Sequence, residues 1–179
     1  MAFLENGSGC NFSSAQSVTA TAASTNIYDV TGAGSTNAPA MIGAGGLSTA
    51  LGFDVGGGNG VEQPSVYITF GTCTTVTGTL TIALQVAADN GSYSPGTYYT
   101  IFQTAALTGT SQLFAGAQIS FYVPPVPQGL LASGALPRFY RLNYTVGSSI
   151  SVLVSASLLL DAPNLRQATQ YGANFPSGL

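Results

Sequence analysis

The chain has 179 residues, of which 5% are charged: three arginines, six carboxylates, no lysine and no histidine, for a formal net charge of −3. That inventory excludes a basic nucleic-acid surface, because counterion release needs several clustered cations, and it removes Ser-His and Cys-His nucleophile pairs, lysine Schiff bases and imidazole-held metals. One domain of this length buries roughly 70% of its unfolded surface, while so little charge leaves weak repulsion between copies and favours a protein that works assembled over a sticky monomer.

Read from its start, "MAFLENGSGC" carries Glu5 and no cationic n-region, so it does not resemble a secretory signal, and synthesis and folding in a cytoplasm are expected. Cys10 and Cys73 are then expected as reduced thiols, since 63 positions of separation fit no zinc spacing; a single bridge tying an N-terminal arm to the body is the alternative. β-Branched and aromatic residues recur in short runs between Gly, Pro and Asn, which predicts an all-β chain. Strands are expected at 16–22, 26–30, 65–71, 78–88, 98–104, 117–123, 139–146 and 150–160. Eight such strands with some long connections fit a jelly-roll-type antiparallel β-sandwich, with an immunoglobulin-like sandwich as runner-up, weakened by the absence of tryptophan.

Between the second and third of these strands, Thr31 to Gly60 holds ten glycines, including "GGGNG" at 56–60, and reads either as a contact loop or as a solvated linker. In "LTIALQV", Leu80, Ile82, Leu84 and Val86 share the core face, and Thr81, Ala83 and Gln85 the opposite one. The late run "ISVLVSASLLL" is about half the roughly 20 residues needed to span a bilayer and reads as a half-buried strand. The expected organisation is an N-terminal arm at 1–11, a sandwich domain at 12–161 with the Gly-rich loop at 31–60, and a C-terminal arm at 162–179. That last arm carries Arg166, Tyr171 and Phe175, which are candidates for docking on another surface.

The remaining chemistry is sparse. Six scattered carboxylates without tryptophan platforms argue against glycoside hydrolysis, and "DNGSYS" at 89–94 is explained by turn chemistry before a calcium site is needed. "GGGNG" has neither the lysine nor the following helix of a phosphate-binding loop. No enzyme activity, cofactor or metal is therefore expected. The informative polar residues are the arginines of "PRFYRLNYTV": strand alternation sets Arg141 with Asn143 on a polar face, and Arg138 at the strand entrance with Tyr140, Leu142 and Tyr144 on the core side. Either each arginine pairs with a carboxylate of its own chain, or Arg138, Arg141 and Asn143 make contacts to another subunit.

"FSSAQSVTATAASTNIYDV" (12–30) and "RFYRLNYTVGSSISVLVSASLLLD" (138–161) closely resemble the two signature blocks of the Bordetella-phage-type capsid cement proteins, decoration proteins of tailed bacteriophages. "FDVGGGNGVEQPSVYITF", "GTLTIALQVAADNGSYSPGTYYTIFQTAAL" and "FAGAQISFYVPP" resemble the middle strands and loops of that family, and "YGANFPSGL" its tail. The chain departs from it in the long segment at 31–50 and in its low charge. The resemblance implies a jelly-roll homotrimer on the outer surface of a phage head, at three-fold or quasi-three-fold positions, clamping neighbouring major capsid protein subunits. It carries Arg138, Tyr140, Arg141, Leu142, Asn143 and Tyr144 over as the family's signature strand. Two other classes stand beside it. One is a carbohydrate-binding or adhesin-like sandwich displayed on a virion, using Tyr93, Tyr98 and Tyr99; the other is a fibre or pilus subunit that forms open filaments.

Overall fold

The computed structural model describes residues 11–30, 64–127, 129–131 and 135–159. Their strands are β1 (Asn11–Val18), β2 (Ala22–Ala23), β3 (Tyr28–Asp29), β4 (Ser65–Val76), β5 (Thr79–Ala87), β6 (Tyr99–Gln103), β7 (Leu107–Thr108), β8 (Gln118–Tyr122), β9 (Phe139–Val146) and β10 (Ile150–Leu159). A single helical turn, Gly109–Gln112, follows β7. One sheet runs β1-β10-β4-β8 and the other β2-β9-β5-β6, with β3 also on β9 and β7 on β5. Every pairing is antiparallel. The first strand lies beside the last, and the chain passes repeatedly from one sheet to the other, which is the jelly-roll form of the all-β sandwich.

The core lies where the inner faces meet. Leu80, Ile82, Leu84 and Val86 of β5, Leu142 and Tyr144 of β9, and Val66, Ile68, Val152 and Val154 of β4 and β10 are all buried, as period-two alternation requires. Among the described residues, a buried polar link crosses this apolar layer. The Tyr144 hydroxyl of β9 lies 2.8 Å from Ser13 Oγ of β1, and Ser13 Oγ donates to Gln16 Oε1 at 2.7 Å. Gln16 also accepts from Thr25 and donates to the Ala23 carbonyl, so one side chain holds the turn that carries the chain from β1 to β2.

Three expectations are corrected. The first strand occupies 11–18 rather than 16–22, because a register shift between Ser13 and Gln16, with Ala15 at φ 47°, breaks the alternation that would have located its start. Asn11, assigned to an arm by sequence, is already paired with Ser157. β4 continues past Gly71 to Val76: a Cβ at Gly71 would stand 3.0 Å from Leu153 Cβ, so this glycine permits a close strand contact instead of ending the strand.

At one end of the sandwich two sheet-to-sheet connections, β4 to β5 and β9 to β10, lie against each other. Gly78 N–H donates to the Ser149 carbonyl at 3.1 Å, and Gly147 N–H to the Thr79 carbonyl at 2.9 Å. Gly78 is needed for that approach, since a Cβ there would stand 2.8 Å from the Ser148 backbone, whereas one on Gly147 would require the Thr79 hydroxyl to turn away. The Gly-rich segment at 31–60, Cys10 and the C-terminal arm lie outside the described residues.

Candidate functional site: two arginines on opposite faces of β9

Among the described residues the ionised side chains are Asp29, Asp89, Arg138 and Arg141. β9 positions both arginines, and its alternation sends them to different faces. Arg138, just before the strand, is buried at 9% exposure. Its Nε and Nη2 donate to Asp29 Oδ1 and Oδ2 at 3.0 and 2.9 Å, a two-point fork, and its Nη1 binds Asp89 Oδ2. Asp29 is supplied by β3, which pairs with the start of β9, and Asp89 by the β5–β6 connection, so one guanidinium ties three segments together. The same group lies 4.8 Å from the Phe139 ring centroid and 5.3 Å from that of Tyr93. Hydrogen bonding to Asp29 raises the Arg138 pKa further above its ordinary value, while burial works in the opposite direction. Of the two alternatives set by sequence, pairing within its own chain is the arrangement Arg138 adopts.

Arg141 is half-buried on the opposite, outer face. Its Nε donates to Gln85 Oε1 at 2.8 Å, and its guanidinium carbon stands 3.7 Å from the Tyr98 ring centroid. Burial pushes the Tyr98 phenol up, with the Arg141 charge acting against it. Gln85 in turn donates to Thr100 Oγ1 at 3.3 Å. Asn143, two residues on, is on the same face and donates to Thr145 Oγ1 at 3.3 Å. The structure therefore brings Arg141 and Asn143 together and separates Arg138 from both. Arg166, Tyr171 and Phe175 lie outside the described residues.

Sequence reasoning allowed a carboxylate of the same chain as the partner of Arg138 but did not single out Asp29 and Asp89, and it missed the Tyr98–Arg141 stack. The signal available for the first was parity: Arg138 belongs to the core side of its strand, and a buried guanidinium needs carboxylates. The second needed the β5–β6 pairing, which sequence does not give. The "DNGSYS" loop is organised by its own turns, with Asp89 Oδ1 accepting from Gly91 N–H and Asn90 Oδ1 from Ser92 N–H, each at 2.9 Å. Among the described residues no group of three or more Asp, Glu, Cys or His side chains could hold a metal. Of the tyrosines considered as a sugar platform, Tyr98 is covered on one face by Arg141, whereas Tyr93 and Tyr99 are exposed. No described helix is long and apolar enough to cross a membrane.

Fold and site together define a jelly-roll sandwich whose described polar side chains chiefly hold its own strands and in which Arg141 is the one described cation on the outer face. The Bbp16 family model matches residues 12–152, and the chain belongs to that family, a Bordetella phage protein family. By that membership it is a phage structural protein associated with the virion. No curated protein matches it.

Proposed function

We propose that this protein is a capsid cement or decoration protein: a homotrimer on the outer surface of the phage head that clamps neighbouring major capsid protein subunits and carries out no catalysis. The observation that carries the proposal is the Bbp16 match spanning nearly the whole sandwich, in a chain that resembles phage cement proteins in both signature blocks. The surface chemistry supports it. Around Arg141 the outer face of β5 and β9 carries neutral Thr81, Gln85, Asn143 and Thr145, so hydrogen bonds supply most of a contact there and few ions need be desolvated, and several weak contacts made at once give slow release.

Purified protein added to heads that lack it is expected to bind saturably and to raise the temperature at which the heads rupture. Binding should change little between about 0.05 and about 1 M salt, because few exposed charges are available for screening. Heads that take up no protein, or uptake that collapses with salt, would refute the proposal. Light scattering on the free protein is expected to show a closed trimer; an open, growing filament would favour a fibre subunit.

A further inference from the structure

Arg141 is the one described ion with no described counter-ion. The two described carboxylates are both held by Arg138 on the far side of the sheet. Arg141, Gln85 and Thr100 form a cross-strand row over β9, β5 and β6, in register through Arg141↔Gln85 and Gln85↔Thr100. Gln85 fixes the Nε edge of the guanidinium and Tyr98 covers one of its planes, while neither terminal nitrogen hydrogen-bonds to any described residue. A guanidinium free to rotate would lose side-chain entropy on meeting a partner. This one is already oriented, with its two-pronged terminal edge available, which is the geometry that receives a carboxylate in two parallel hydrogen bonds.

We infer that the outer face of β9, β5 and β6 is a docking surface for an acidic side chain of the shell protein, with the carboxylate received by the terminal nitrogens of Arg141. This rests on the cement reading. A lone cation on a chain of net charge −3 is not a phosphate-backbone site, which requires several cations. In a second copy the described carboxylates, Asp29 and Asp89, are engaged by Arg138, and a contact between copies through Arg141 is the outcome that the oligomeric state in the test reads. Further along the same face of β9, Asn143 and Thr145 are neutral groups that can hydrogen-bond to a partner without competing for its charge.

The test is a titration of wild type, Arg141→Gln, Arg141→Lys and Gln85→Glu onto heads lacking the protein, with melting temperature and oligomeric state recorded for each free variant. Arg141→Gln is expected to weaken binding about 30-fold, equivalent to ~2 kcal/mol, and Arg141→Lys, which lacks the fork, about tenfold. Gln85→Glu supplies an internal carboxylate that occupies the guanidinium, so it should keep or raise the melting temperature and still weaken binding about tenfold. A purely structural Arg141 predicts the same stability for that variant but unchanged binding. Wild-type affinity in Arg141→Gln or Gln85→Glu, or a loss in Arg141→Gln that tracks dissociation of its own oligomer, overturns the inference and leaves the cement proposal standing. Failure of the wild type to bind removes the cement proposal, and this inference with it.

Discussion

Replacing Arg138 with methionine keeps most of the side-chain volume and removes the charge that three segments share. Asp29 is then left in a site where its side chain has 0% exposure, without the two-point fork at 2.9 and 3.0 Å. Breaking a buried ion pair from one side costs about 3–5 kcal/mol, because the remaining buried carboxylate has lost its opposite charge. Asp89 adds little, since its side chain is 28% exposed and water replaces much of what it loses. For a chain of this length each kcal/mol moves the midpoint by roughly 2–4 °C, so the melting temperature should fall by about 6–20 °C. Thermal unfolding followed by circular dichroism at neutral pH measures this directly. The double variant Asp29→Asn with Arg138→Met should recover part of the loss, because it deletes both charges together. A fall of less than about 1 kcal/mol in Arg138→Met, or strict additivity in the double variant, would show that the cluster is not the lock at this end of the sandwich.

Alkaline stability should follow the buried phenols. Burial pushes Tyr140 and Tyr144 up to about 12 from an ordinary 10.0. Because the folded values are raised, their contribution is complete below the unfolded pKa and is lost as pH climbs through the folded one. Stability should therefore hold to about pH 10 and fall steeply towards about 12, and a curve flat across that window in denaturant titrations would contradict the burial. At the paired connections, Gly78→Ala forces a methyl against the Ser148 backbone and should cost about 1–3 kcal/mol in the same melts, whereas an unchanged midpoint would mean the two turns separate freely.

The strands legible in sequence are those whose alternation is unbroken. β5, β9 and β10 read correctly because Leu80 to Val86, Tyr140 to Tyr144 and Ile150 to Leu158 place apolar residues at every second position. β1 misled because its bulge shifts the period, and β4 because Gly71 looks like a terminator until Leu153 is known to pack over it. β7 and the helical turn after it are too short to carry a period at all. The site was half legible for a similar reason. Parity along one strand separated Arg138 from Arg141, but the partners of each, Asp29, Asp89, Gln85 and Tyr98, come from other strands and connections. No local pattern announces which strand will be a neighbour.

The pairing of Asn11 with Ser157 has a practical sequel for anyone wishing to load this scaffold. Polypeptide grafted directly ahead of Asn11 or directly behind Leu159 would depart from the same corner of the sandwich. A fluorophore beside Asn11 and a quencher beside Ser157 should thus report one address, and a short bridge joining those two strand ends would allow the chain to be recut elsewhere with its hydrogen-bonded lattice intact.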